Sequence, residues 1–300
     1  MKKAYFLFCG LLFLNLHPIY AKIIATTTPA PIKVIAAENF YGELAHEIGG
    51  DNVEVQSIIS SPTADPHLFA TSSKISKLLE NAQIIIYNGA NYDPWMQQIL
   101  NSLTKSLNDK SVIIINVADL MNVKNGDNPH IWYRPDTFSV LAQTLAKQII
   151  KLNPHSRKKV DDNLANFLQQ NQLVLNAIQG IKLKYKNLPV TATEPVYGYA
   201  AAAMGLDMQG IDFQWKIMNG TEPSPQILAN FEQLITQHKI KLIFYNNQVK
   251  SPVTQNILDL AAKNNIPIVG ITEIMPPHMN INQWQLDQIN ATGKTLKLVN

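Results

Sequence analysis

Cysteine is almost missing from this 300-residue chain, and the single one, Cys9, lies inside an apolar leader. Beyond that leader there is no thiol, which excludes a disulfide framework, every cysteine-ligated zinc site and a cysteine nucleophile. Charge is also sparse. Asp, Glu, Lys and Arg make up 16% of the residues, and 25 basic side chains nearly match 22 acidic ones. The formal charge of +3 falls to +1 when Lys2 and Lys3 are set aside with the leader. Such a balance gives no electrostatic footprint for nucleic acid or an anionic membrane. After the leader no apolar run reaches the ~20 residues of a membrane span. There is no His-Glu-x-x-His helix and no Gly-x-Ser-x-Gly elbow to suggest hydrolysis.

The leader itself is informative. Lys2 and Lys3 precede an almost unbroken apolar stretch from Ala4 to Leu16, and Ile19-Tyr20-Ala21 offers a small residue at a cut point. This is the anatomy of a secretory signal over residues 1–21, too short for a comfortable membrane span, and it predicts export across the cytoplasmic membrane. An uncleaved anchor is the alternative. Lipid attachment at Cys9 is not expected, because Phe8-Cys9-Gly10 comes early and more apolar chain follows it. The remaining 279 residues suffice for one large domain or two of ordinary size.

After Ile23–Ala30 the pattern alternates between strand and helix. Strands are predicted at 32–36, 53–59, 82–87 and 112–117, with helices at about 40–48 and 72–80. Short apolar strands separated by helices predict parallel βαβ units. A helix follows over 137–152, and Asn153-Pro154 reads as an N-cap with proline at the first position of the next. From there to about Lys186 the apolar positions keep a helical period, far beyond the usual ~11–12 residues. The strand–helix rhythm then restarts, with strands at 189–193, 208–213, 241–245 and 267–272 and helices from Tyr197, over 224–238, 252–264 and 282–297. The architecture predicted is α/β, with two βα lobes of mostly parallel strands joined by one long rigid helix. The segments are 22–152, 153–187 and 188–300. The alternative is a single doubly wound domain with an overlong surface helix.

In open α/β sheets, ligands gather outside the carboxyl ends of the strands. Four metal-capable side chains stand just after predicted strands. His67 and His130 each follow a proline, in Asp65-Pro66-His67 and Asn128-Pro129-His130, and proline stiffens the approach of the imidazole. Glu194 and Glu273 directly follow strands of the second half. Each has a bland reading: a surface histidine, or, for Glu194 before Pro195, a helix cap. Taken together, all four could converge on one cleft between the halves.

Several ordered motifs carry a resemblance over essentially the whole chain. They are Ile32-Lys33-Val34-Ile35-Ala36-Ala37-Glu38-Asn39-Phe40-Tyr41 with Ile48-Gly49-Gly50, Thr63-Ala64-Asp65-Pro66-His67-Leu68-Phe69, Asn88-Gly89-Ala90-Asn91-Tyr92-Asp93-Pro94-Trp95-Met96, Asn128-Pro129-His130-Ile131-Trp132, Glu194-Pro195-Val196-Tyr197-Gly198-Tyr199-Ala200 and Ile271-Thr272-Glu273. In these the chain resembles the metal-binding solute-binding proteins of bacterial zinc and manganese ABC importers, some of them described as adhesins. The resemblance implies a two-lobed fold with a metal site in the cleft, no enzymatic activity, and His67, His130, Glu194 and Glu273 as ligands. It further implies delivery of the metal to an ABC permease in the cytoplasmic membrane by a periplasmic protein, expected to be monomeric. The fourth ligand is most often aspartate in that family, so Glu273 is a departure. The histidine- and acid-rich loop of many zinc receptors is absent from Met121–Asp127.

Two imidazoles and two carboxylates carry a formal charge of −2, suited to a divalent cation. Carboxylate in the third position, and bidentate binding by either glutamate, move the site toward manganese. The affinity order favours zinc in vitro, but the carboxylates make manganese the expected cargo ahead of zinc, and iron is also admissible. His278, five residues past Glu273, reads as an exposed loop residue or as a fifth, transient ligand. The rival function is a secreted metallohydrolase, with Glu273 vacating a position for water. A host-surface adhesin is a further rival, supported by no repeat or exposed apolar motif.

Overall fold

Apolar strands too short to bury both faces alone are stacked here into two separate parallel sheets backed by helices. In this computed structural model the described residues are Met1, 29–61, 69 and 71–298. Apart from Met1, the expected signal over 1–21 lies outside them, as does His67. All the elements below belong to one unit, Pro31–Asn300.

The first sheet contains β1 (Ile32–Glu38), β2 (Val53–Ile59), β3 (Ile84–Tyr87) and β4 (Ile113–Asn116), in the order β2-β1-β3-β4. Its helices are α1 (Asn39–Gly49), α2 (Ser73–Glu80), α3 (Pro94–Asp109), α4 (Val117–Leu120) and α5 (Thr137–Leu152). Then comes α6 (Arg157–Tyr185), a helix of 29 residues, about 43 Å long at 1.5 Å per residue. The second sheet has β5 (Pro189–Ala192), β6 (Asp207–Gln209), β7 (Ile243–Asn246) and β8 (Ile268–Ile271), ordered β6-β5-β7-β8. Its helices are α7 (Gly198–Ala203), α8 (Ile211–Met218), α9 (Pro225–Thr236), α10 (Pro252–Lys263) and α11 (Ile281–Leu296). All pairings within both sheets are parallel. The sheets share one winding, so each has a switch point, between β1 and β3 and between β5 and β7, where strand carboxyl ends form a crevice. Two sheets, rather than one doubly wound sheet, set the architecture.

Helix α6 buries Val160, Phe167, Asn171, Val174, Ile178, Ile181 and Tyr185 along one stripe, at the spacing of three to four that a helix face requires. It packs on α1 and α5 of the first half and on α7 and α11 of the second. A run of aromatic rings also crosses between the halves. Phe40 meets Trp284 at 5.6 Å, Trp284 meets Tyr133 at 5.5 Å, Tyr133 meets Tyr197 at 4.8 Å, and Tyr197 meets Phe244 at 5.0 Å. Edge-to-face and tilted pairs at such spacings add to the area they bury.

Two local expectations are corrected, and one helix has no predicted counterpart. The strand predicted over 208–213 ends at Gln209, because Gly210 takes a left-handed φ of +69° and Ile211 opens α8. Phe213 and Ile217, four apart, then pack as a helical pair against Phe231 and its neighbours. Asn153 makes no side-chain cap; its amide turns to Asn52 Oδ1 at 3.4 Å, and Pro154 opens a 3-10 turn ahead of α6. The helix α3, which starts on Pro94, has no counterpart among the predicted elements.

Behind the carboxyl ends of the first sheet lie two buried acids. Asp93 accepts from the backbone N–H groups of Asn88 at 2.8 Å and Gly89 at 2.9 Å. A side chain at Gly89 would strike Asn116 and meet a φ of +77°, which is why glycine stands in that turn. Burial pushes the Asp93 pKa up to about 6 against the pull of those N–H groups. Burial, and next the charge of Asp93, hold Glu38 well above the ordinary carboxyl range. Glu47 on α1 is pushed up to about 7 by burial and by Glu43.

Two outcomes follow from this packing. Trp284 is fully buried and donates to Thr272 Oγ1 at 2.8 Å, so Trp284→Ala is expected to cost about 3–5 kcal/mol in denaturant unfolding. Leu183→Ala, on the exposed face of α6, should stay within ~0.5 kcal/mol. The raised acids mean that the folded chain binds more protons than the unfolded one between the ordinary carboxyl range and about pH 6–7. That contribution is full below ~pH 4 and is lost as pH rises through the folded values. Stability should therefore fall with rising pH over this window, and Glu38→Gln should flatten the slope; an unchanged slope would show that the Glu38–Asp93 pair does not titrate there.

Candidate metal centre

Glu194, Asn246 and Glu273 come from the carboxyl ends of three adjacent strands, β5, β7 and β8. Neighbouring strands lie ~4.8 Å apart, so a residue at the end of the middle strand sits between side chains from its two flanks. Asn246 ends β7 and does this: its Nδ2 donates to Glu194 Oε2 at 2.8 Å and to Glu273 Oε1 at 2.5 Å. Glu194 makes no helix-cap bond at the 3-10 turn it precedes, so the capping alternative does not describe it. Glu273 is held along its backbone as well, its N–H and that of Ile274 both donating to Gln248 Oε1 at 2.5 and 2.7 Å.

His130 approaches from the first half. Pro129, before it, accepts from the Asn88 amide at 2.9 Å, and a 3-10 turn over Ile131–Tyr133 follows. The ring lies edge-on between Tyr92 at 5.9 Å and Trp132 at 5.2 Å. Its tautomer is set by Asn128. The Asn128 Nδ2 donates to Pro195 O at 2.7 Å, which turns Oδ1 toward His130, 2.7 Å from Nδ1 and 3.1 Å from the backbone N–H. An oxygen only accepts, so Nδ1 carries the proton and Nε2 of the neutral ring carries the lone pair. Nε2 lies 4.0 Å from Glu273 Oε2.

Tyr92 completes the link by donating its O–H to Glu273 Oε2 at 2.9 Å. Burial, followed by the charge of Glu273, holds this phenol well above its usual pKa, so it remains a donor. His130, Glu273 and Glu194 are 0, 2 and 4% exposed. The site is thus a buried cluster with an imidazole nitrogen and two carboxylates, drawn from both halves.

Three of the four expected residues are therefore brought together, and the fourth, His67, lies outside the described residues. Among the described residues by themselves, no group of three or more His, Cys, Asp or Glu stands ready to hold a metal ion. His278 is elsewhere: it lines an open cavity of about 800 Å³ with Glu43, His46 and Asn39. Sequence reasoning missed Asn246, Tyr92 and Gln248. The strand-end rule that points to the glutamates points equally to Asn246, whose neutral amide is not an ordinary metal-ligating side chain.

Known proteins are similar to this chain in sequence and in fold. A family model described as the periplasmic component A of the zinc-uptake complex matches residues 34–289. The metal ABC transporter substrate-binding lipoprotein FimA of Streptococcus parasanguinis is 24% identical over 282 residues, covering 86% of this chain and 88% of that protein. The manganese ABC transporter substrate-binding lipoprotein PsaA of Streptococcus anginosus is 23% identical over 257 residues, 81% and 80% of the two chains. Among solved structures, the periplasmic zinc-binding protein TroA from Treponema pallidum superimposes with a TM-score of 0.73 at 15% identity, over 90% of this chain and 99% of that one. That likeness is one of fold. With the family model spanning most of its length and the two-lobed fold to match, the chain belongs to the family of the periplasmic component A of zinc-uptake complexes.

Proposed function

We propose that this protein captures a divalent transition metal, manganese or zinc, outside the cytoplasmic membrane and delivers it to an ABC permease, with His67, His130, Glu194 and Glu273 as ligands. In this reading residues 1–21 are an export signal, 22–152 and 188–300 are the two lobes, 153–187 links them, and the exported protein works in the periplasm. The role is carriage of the ion rather than catalysis.

The observation that carries the reading is the pairing of His130 Nε2 with Glu273 Oε2 across the cleft, 4.0 Å apart and buried. Two donor atoms on one tetrahedral ion at ~2.0 Å are about 3.3 Å apart, so a shift below an ångström would bring both into contact with a cation. The Nδ1–H bond to Asn128 supports it further, since a second partner that fixes the ring and leaves a lone pair on the other nitrogen is the usual support of a histidine ligand. The formal charge of the four proposed ligands, −2, is neutralised by one divalent ion.

Metal analysis of the wild-type protein should find one divalent ion per chain. His130→Ala and His67→Ala should each weaken uptake by ~100-fold or more, beyond the loss typical of second-layer partners. Uptake should also weaken from about pH 7 to pH 5, as protons compete for imidazole nitrogens with an ordinary pKa near ~6.5. Stoichiometric, pH-independent binding that survives both substitutions would refute this ligand set.

A further inference from the structure

Asn88 follows the last residue of β3 and is fully buried, and every polar group it owns is engaged. Its backbone N–H donates to Asp93 Oδ2 at 2.8 Å, and its carbonyl accepts from the N–H of Ala118 in α4 at 2.8 Å. Its Oδ1 accepts from the Tyr41 O–H on α1 at 2.6 Å. Its Nδ2 donates to two carbonyls, Gly89 O at 3.1 Å and Pro129 O at 2.9 Å. Turning the amide over would set its oxygen against both carbonyls, so one orientation is enforced.

The two carbonyls lead to different parts of the centre. Pro129 is the residue before His130. Gly89 opens a turn in which Gly89, Ala90 and Asn91 take φ of +77°, +49° and +63°. Alanine does not adopt such a left-handed conformation without cost, and the run persists only where surrounding bonds impose it. Gly89 O also accepts from the Tyr92 N–H at 3.0 Å, and the Asp93 carboxylate closes the turn on the N–H groups of Asn88 and Gly89. The turn delivers Tyr92, whose O–H meets Glu273 Oε2 at 2.9 Å, the oxygen that lies 4.0 Å from His130 Nε2. We propose that Asn88 is a positioning residue: one amide nitrogen holds the His130 segment and the Tyr92 turn in fixed relation, so that both arrive together at Glu273. This rests on the metal-capture reading above. Serine has one donor for two carbonyls and an apolar residue has none, so neither would tie the two segments.

The test compares stripped wild-type and Asn88→Ala proteins by NMR of the histidine rings and by uptake of zinc as the probe ion, with His130→Ala used to assign the His130 signal. In the wild type the His130 ring protons, set between Tyr92 and Trp132, should be displaced by the currents of those rings. Asn88→Ala should move them, leave the exposed His46, His155, His238 and His278 in place, and weaken zinc uptake by ~10–100-fold. A merely structural role would lower the unfolding midpoint alone. An unmoved His130 signal, or an unchanged zinc affinity, in folded Asn88→Ala therefore overturns the proposal. Should the variant fail to fold, the wild type decides: the Asn88 side-chain N–H groups should exchange with solvent ~10-fold more slowly once zinc binds, because the ion holds His130 and with it the segment behind Pro129. Unchanged exchange on zinc binding overturns the proposal. The ring signals are read without metal, so the two failures are separable: no zinc uptake by the wild type overturns the metal-capture reading itself.

Discussion

Two carboxylates placed side by side in a dry interior repel each other and lose hydration, so nothing short of a positive charge or a full set of donors keeps them there. Among the described residues, one amide nitrogen, a phenol and a held backbone contribute to meeting that constraint for Glu194 and Glu273. The supporting residues are ordered by the same need. Gln248 fixes Asn246 and the backbone of Glu273, and Asn128 fixes the ring of His130 while tying it to Pro195 across the cleft. The first sheet repeats the theme behind the site, where Asp93 collects two backbone N–H groups beside Glu38. Acids are thus concentrated at the carboxyl ends of both sheets and kept from water, the arrangement in which an arriving cation gains most from Coulomb attraction.

Much of this was legible in the sequence. The strand–helix alternation gave two parallel sheets, the long apolar period between residues 153 and 187 gave α6, and the helix predicted over 137–152 appears with the same limits. The strand-end rule located His130, Glu194 and Glu273. What escaped was of two physical kinds. Local backbone geometry decided against the strand at 208–213, because Gly210 at positive φ ends β6 where hydrophobicity alone continues. Asn246 and Tyr92 escaped because their roles exist only after folding: an amide or a phenol is a second partner to a carboxylate that lies 27 or 181 residues away. Nothing in the chain near residue 92 or 246 announces such a contact.

The order of strands explains why an amide holds that place. In the order β6-β5-β7-β8 the two glutamates follow strands that are not neighbours, and β7 runs between them. A charged side chain ending β7 would have completed a triad of acids or formed a permanent salt bridge that excludes an ion. An apolar one would have left both carboxylates buried without donors. Asparagine is neutral, short and carries two N–H groups on one atom, so it gathers the acids without cancelling their charge. The same reasoning explains why Tyr92 serves on the other side of Glu273: a phenol kept protonated by its burial donates without adding charge.

These contacts also constrain how the cleft can move. Among the bonds that cross between the halves are Asn128 to Pro195, Tyr133 to Thr272 at 2.6 Å, Tyr92 to Glu273, Asn39 to Met275 at 2.7 Å, Tyr199 to Asn128 O at 3.0 Å and Gln285 to Trp132 O at 3.3 Å. The helices α6 and α11 meanwhile pack against each other, and α6 also packs against the first half. A wide hinge would have to bend the 29-residue helix α6, strip the aromatic run around Trp284 and break these bonds together, a cost far above that of shifting one loop. Moving the segment from Thr272 to Met275 changes the position of Glu273 relative to His130 and alters three of those bonds, to Tyr133, Tyr92 and Asn39, while both sheets stay fixed. Displacement of this loop on a rigid frame is therefore the lower-cost change, and the loop carries Glu273, at the position where the resembled family most often has aspartate.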